Sequence, residues 1–152
     1  MLYLLLKWLH VMAAIVAVGA NVTYGVWLAR AGRQPDALAF TLRGIKFIDD
    51  RMANPAYGAL LILGVIMLLS ARLPLTTPWL DSGLVLYLLV GITAFFGYTP
   101  TLRRQIQVLE AEGFNSPAYQ ALARRGRLLG IVLAILVVAI VFLMVVKPAL
   151  WA

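Results

Sequence analysis

The chain has 152 residues, of which 63% are hydrophobic and 12% are charged, whereas soluble domains average about 45–50% apolar and 25% charged residues. This composition excludes an ordinary soluble domain and predicts an integral membrane protein. The chain has no cysteine, which excludes disulfides, thiolate metal sites and cysteine nucleophiles. The net charge of +7 comes from basic residues beside apolar runs, so we interpret them as orientation signals and predict no nucleic-acid partner.

Four apolar runs are long enough to cross the hydrocarbon core of a bilayer, which takes about 20 helical residues. The sequence therefore predicts one all-α membrane domain over residues 1–152, with transmembrane helices at about 2–29, 53–71, 80–99 and 128–146. The first run resembles a signal peptide at Val18-Gly19-Ala20, but it lacks a preceding basic region and continues to Ala29. We therefore expect a permanent helix there.

The connections between the runs predict further helices. After a helix start at Pro35-Asp36, apolar residues recur at a spacing of three to four, at Leu38, Leu42, Ile45, Ile48 and Met52. This pattern predicts an amphipathic helix lying on the cytoplasmic surface between the first and second spans. The short turn at 72–79 predicts that the second and third spans are antiparallel neighbours.

The connection after the third span predicts a helix that extends to Glu112 and breaks at Gly113. Ser116 followed by Pro117 is typical of an N-cap and first helical position, so we expect a new helix there that continues into the fourth span. The predicted architecture is an up-down bundle of four transmembrane helices.

Basic residues are distributed unequally between the two sides of this bundle. Ten lie in the first and third connections and three on the opposite side: Arg30, Arg33, Arg43, Lys46, Arg51, Arg103, Arg104, Arg124, Arg125 and Arg127 against Lys7, Arg72 and Lys147. The positive-inside rule then places both long connections in the cytoplasm and both termini outside, periplasmic or extracellular. We expect a bacterial inner (plasma) membrane protein whose cytoplasmic basic residues contact anionic lipid.

The first span has one face of small and polar residues, which predicts that this face packs inside the bundle. Asn21 and Tyr24 are predicted to join helices there. In the fourth span, Gly126 and Gly130 form a ridge of small residues that joins helices either within the chain or between two copies of a homo-oligomer.

His10 is the chain's single histidine and lies on the same polar face. Met67 and Met144 are expected at a similar depth, so an imidazole and a thioether could ligate heme b or copper, with Lys7 paired to a heme propionate. The alternatives are that His10 hydrogen-bonds a neighbouring helix or handles protons, and that the methionines only pack. On the outer side, Lys7, Asp81 and Lys147 are candidates for an ion-pair cluster.

The sequence has no hydrolase triad, phosphate loop, paired-carboxylate site or closed zinc site, so it identifies no catalytic constellation. Two hypotheses remain open. The first is a small structural or accessory protein of the inner membrane without a cofactor. The alternative is a redox membrane protein that binds heme b or copper through His10.

Four stretches of the sequence are distinctive: LYLLLKWLH (Leu2–His10), DDRMANPA (Asp49–Ala56), WLDSGLVLYLLVG (Trp79–Gly91) and FLMVVKPAL (Phe142–Leu150). Together they resemble a family of small predicted bacterial membrane proteins, family 2269 of the domains of unknown function. The resemblance covers almost the full length and implies four transmembrane helices.

The Lys-x-x-His of Lys7 and His10 is also similar, more distantly, to the start of the oxygen-independent four-helix protoporphyrinogen oxidase and to copper-resistance D-type membrane domains. In the oxidase group this histidine is associated with heme b, so the resemblance implies His10 as an axial ligand. The later motifs of that enzyme do not match this chain.

Overall fold

The computed structural model describes residues 1–32, 34–72, 74 and 77–149. Four helical segments are long and apolar enough to cross a membrane: Leu2–Ala31, Ala37–Ala71, Pro78–Glu112 and Pro117–Val146. The prediction of an all-α protein with four membrane-capable helices is confirmed. Arg33 and three residues of the predicted turn at 72–79 lie outside the described residues.

The described chain forms six α-helices and two π-helical segments. The α-helices are α1 (Leu2–Ala31), α2 (Pro35–Ile48), α3 (Asn54–Ala71), α4 (Pro78–Ile92), α5 (Thr99–Glu112) and α6 (Pro117–Val146). The first π-helical segment, Asp49–Ala53, joins α2 to α3, and the second, Thr93–Tyr98, joins α4 to α5. Each of these two long helical segments is therefore continuous.

The membrane-capable helices form two antiparallel pairs. α1 packs along α3 and α4 packs along α6, whereas no Cα atom of α3 lies within 8 Å of a Cα atom of α4. The second and third spans, predicted to be neighbours, therefore lie farther apart than the helices of each close pair, although the Tyr87 hydroxyl of α4 still donates to the Tyr57 carbonyl of α3 at 2.6 Å. A short connection ties together only the ends of two helices, and their better packing partners then determine where they lie.

We call the end of the bundle where α1 begins and α6 ends the terminal end, and the opposite end the basic end. At the basic end, residues from α1, α2, α5 and α6 form one buried core: Tyr24, Ala31, Leu38, Leu42, Ile45, Leu102 and Tyr119. Leu42 has no exposed surface. The apolar side of α2, predicted from the sequence to face a membrane surface, therefore packs against protein.

The start of α6 follows the predicted capping pattern. Gly113 adopts a positive φ of 83° directly after α5, a backbone conformation that costs glycine little. Ser116 is the N-cap of α6 and its hydroxyl accepts a hydrogen bond from the Tyr119 backbone N–H at 3.1 Å. The predicted break and restart between the third and fourth spans are confirmed.

Candidate functional site

A proline follows each π-helical segment, with one residue between them. Pro55 follows the first segment and Pro100 follows the second. Proline lacks the N–H that an α-helix needs, and its ring pushes away the carbonyl one turn earlier. The backbone widens in response: the N–H of Asn54 bonds Asp49 and that of Thr99 bonds Ala94, both across five residues. π-Helical turns are frequent at functional sites.

The first widened turn packs on α1 and places a buried acidic side chain near tyrosines of neighbouring elements. Asp49, at the start of the first segment, is 6% exposed, and Tyr24 of α1 is 4% exposed. Tyr98, at the end of the second segment, packs against the buried core that contains Tyr24. Asp49 is also near enough to act electrostatically on the hydroxyls of Tyr24, Tyr57 and Tyr98. The three tyrosines and Asp49 therefore form one group of side chains that interact electrostatically.

The hydrogen bonds of this group are incomplete. Asn54 donates its side-chain N–H to Asp49 at 3.3 Å, and the neighbouring Asp50, not Asp49, pairs with Lys46. The Tyr24 hydroxyl is buried and has no hydrogen-bond partner among the described residues. A buried polar group without a partner costs about 1–3 kcal/mol, so this hydroxyl indicates a place where a ligand or water would be stabilised.

Next to this group, three helices are joined through Tyr57 of α3. The Asn21 side-chain N–H donates to the Tyr57 hydroxyl at 2.6 Å and to the Ala17 carbonyl at 3.2 Å. The Tyr87 hydroxyl of α4 donates to the Tyr57 carbonyl at 2.6 Å. This is a direct polar link between α3 and α4, whose backbones stay apart.

His10 lies against α3, nearer the terminal end. A Cβ atom built on Gly64 would lie 3.3 Å from Cε1 of the imidazole and 3.8 Å from Nδ1, so the absence of a side chain at Gly64 makes room for the ring. Nδ1 is buried and has no hydrogen-bond partner among the described residues. Met67 is half-buried one turn after Gly64 on α3.

Met144 and the two glycines of α6 have partners outside α1. The terminal methyl of Met144 occupies the place where a Cβ atom of Gly83 would be, which puts the end of Met144 against α4. A Cβ atom on Gly126 would lie 3.4 Å from the Gln105 side chain, and one on Gly130 would lie 4.0 Å from Tyr98. The ridge of small residues therefore faces helices of the same chain.

At the terminal end, Lys7, Asp81 and Lys147 are all exposed. Over the ranges that the structure describes, no ion pair joins them: the ion pairs are Arg43–Glu110 and Lys46–Asp50. The Lys147 ammonium instead lies 5.1 Å from the centre of the Trp79 ring, a geometry that favours a cation–π contact. Long exposed side chains gain little from ion pairing in water, which explains why the predicted cluster does not form here.

Sequence reasoning missed the group around Asp49. The DDRMANP stretch is typical of a helix start, with an aspartate as cap and Asn54-Pro55 in the first turn, so the sequence pattern alone indicates no buried carboxyl group there. The available signal was the pair of prolines near the basic ends of the second and third spans, because a proline inside a continuous membrane helix often widens or kinks it.

Four apolar membrane-capable helices, joined by interhelical hydrogen bonds and free of other regular structure over the described ranges, define a helical multi-pass integral membrane protein. The comparison with protein families agrees with this class. Residues 4–148 match the family described as "Predicted integral membrane protein (DUF2269)", and the chain belongs to that family. No curated protein and no solved structure matches the chain.

Proposed function

We propose that this protein is a structural or accessory component of the bacterial inner membrane, with its basic end in the cytoplasm and both termini outside. This proposal is supported by the contacts of the polar face of α1, whose residues join helices. Asn21 is bonded to Tyr57, and Tyr24 lies in the buried core. Such contacts hold a bundle together and leave few polar groups for chemistry on a substrate.

The basic end supports a contact with anionic lipid. Of its basic residues, Arg43 and Lys46 have acidic partners. Seven others are exposed: Arg30, Arg51, Arg103, Arg104, Arg124, Arg125 and Arg127. Each basic side chain near an anionic membrane surface contributes about 1 kcal/mol to the free energy of binding that surface. We expect the basic end to bind vesicles that contain phosphatidylglycerol more tightly than neutral vesicles. The double substitution Arg103→Gln and Arg104→Gln should reduce this difference in binding.

The orientation can be tested directly because the chain has no cysteine. Single cysteines at Arg72 and Glu112, both exposed, would report the terminal end and the basic end. We expect Arg72→Cys to react with a membrane-impermeant maleimide in intact cells, and Glu112→Cys to react only after permeabilisation. The reverse labelling would contradict the proposed orientation. The oligomeric state, including a homo-oligomer, is tested by native mass spectrometry of the same samples.

A redox protein with heme b or copper is the second candidate, and one observation favours it. Nδ1 of His10 is buried and has no hydrogen-bond partner among the described residues, so this ring nitrogen is available to a ligand. His10 would be a ligand and Lys7 would neutralise a propionate, while the bound group would supply one-electron chemistry. The fit is partial, because the end of Met144 packs against Gly83 of α4 and leaves Met67 as the methionine on the helix that His10 contacts.

An absorption spectrum before and after dithionite reduction, with metal analysis of the same sample, separates the two candidates. A Soret band or a stoichiometric copper signal that disappears in His10→Ala would support the redox protein. A colourless, metal-free and folded sample would support the accessory role, and His10→Ala should then change stability alone.

A further inference from the structure

We infer that Asp49 and the hydroxyl of Tyr24 form a binding site for one sodium ion at the basic end of the bundle. This site goes beyond the proposed accessory role and does not depend on it. It rests on two buried side chains, Asp49 and Tyr24, and on the contact between α1 and the first π-helical segment. Among the described residues, the Asp49 carboxyl has no ion-pair partner and the Tyr24 hydroxyl has no hydrogen-bond partner.

The two groups come from elements in contact with each other. α1, which carries Tyr24, packs on the π-helical segment that carries Asp49. Tyr24 belongs to the buried core together with Ile45, and Ile48, the residue before Asp49, packs against that core. Among the charged groups near the Tyr24 hydroxyl, Asp49 acts on it most strongly. The unpartnered hydroxyl and the Asp49 carboxyl therefore lie on two elements in contact and are close enough to interact electrostatically.

The donor atoms indicate the class of ligand. Asp49, Tyr24, Tyr57 and Tyr98 offer oxygen atoms, which are the ligands of hard cations. One carboxylate balances one positive charge, whereas a divalent ion would leave an uncompensated charge in a medium where isolated charges are costly. Lys46, the cation that acts on Asp49, forms its ion pair with Asp50, and Asp49 has no ion-pair partner over the described ranges, so we infer that it can balance a monovalent ion.

Sodium binding at this site is an exchange with a proton. The groups around Asp49 are Tyr24 from α1, Lys46 and Asp50 from the same helical segment, Tyr57 from α3 and Tyr98 from the second π-helical segment. With no cation bound, a buried carboxyl is stabilised by keeping its proton. When sodium binds, the carboxyl O–H bond breaks, the proton leaves to water and the carboxylate oxygen coordinates the ion, so charge is conserved.

The test uses the full-length protein in neutral lipid nanodiscs. Its melting temperature is measured in NaCl, KCl and choline chloride at equal ionic strength, because a ligand that binds only the folded state stabilises it. We expect the melting temperature to rise with NaCl above the choline and potassium series. Addition of NaCl to weakly buffered protein should also release one proton per bound sodium.

Asp50 provides the matched control, since it is the adjacent acidic residue but is exposed and paired with Lys46. Asp49→Asn should abolish the sodium response, Tyr24→Phe should weaken it at least several-fold in apparent sodium affinity, and Asp50→Asn should preserve it. Equal melting temperatures of the wild-type protein in all three salts, or an undiminished sodium response in Asp49→Asn, would overturn the inference. If Asp49→Asn does not fold, proton release by the wild-type protein and by Tyr24→Phe decides the question.

Discussion

Replacing Tyr57 with phenylalanine removes one interhelical hydrogen bond and little else. The lost bond is the one from Asn21 at 2.6 Å, while the Asn21 amide keeps its bond to the Ala17 carbonyl and the Tyr57 backbone still accepts from Tyr87. No buried donor is left without a partner, so the large penalty for an orphaned group does not arise. Interhelical hydrogen bonds in membranes average about 0.6 kcal/mol and reach about 1.7 kcal/mol. We expect Tyr57→Phe to lower the free energy of unfolding by an amount in this range.

Reversible unfolding in mixed detergent micelles, followed by circular dichroism, measures this loss. A double-mutant cycle with Asn21→Ala should give a coupling energy of at least about 0.6 kcal/mol between the two side chains. Tyr3→Phe is the matched control, because Tyr3 is 42% exposed and should lose almost no stability. A coupling energy of zero, with equal effects of Tyr57→Phe and Tyr3→Phe, would refute the assignment of Asn21 and Tyr57 as residues that join helices.

Three further substitutions can be measured in the same unfolding assay. Leu42→Ala opens a cavity at a fully buried position and should cost about 2–5 kcal/mol; a loss below 1 kcal/mol would mean that the core at the basic end is not packed as described. Ser116→Ala removes the cap of α6 and should cost about 1 kcal/mol, which rescue by Ser116→Asp would support. Gly64→Ala brings a methyl group to 3.3 Å from the His10 ring, whereas a Cβ atom on Gly58 meets nothing within 4 Å. We therefore expect Gly64→Ala to be less stable than Gly58→Ala, and the opposite order would contradict the packing of His10 on α3.

Hydropathy alone was enough to predict the four membrane-capable helices, because the bilayer thickness fixes the length of an apolar span. The N-cap at Ser116 could also be predicted from the sequence, because Ser-Pro at a helix start depends on local backbone geometry and not on distant residues. Which helices pack against each other could not be predicted from such local patterns. Gly64 of α3 makes room for the His10 ring of α1, but the sequence contains small residues in several spans and does not indicate which helices pack together.

The sequence did not predict the buried position of Asp49, because its local pattern favours a helix start whereas tertiary packing favours a continuous helix. Asp-Asp followed by Asn-Pro is typical of a helix N-terminus, so the sequence favours a break at that point. In the structure α2 continues into α3, because Leu42 and Ile45 are buried at the basic end and hold α2 in line. The helix accommodates Pro55 by forming a π-helical turn and does not end there. Burial of an apolar face therefore outweighed the preference of proline for a helix start.

The two ends of the bundle are held together by different means, and this bears on where a ligand can enter. At the basic end, Leu38, Leu42 and Leu102 form a dry core that ties four helices together. Toward the terminal end, no Cα atom of α3 lies within 8 Å of one of α4, and His10 contacts α3 at Gly64. A bulky group near Asp49 would have to separate this core, which is consistent with the single small ion that we propose there.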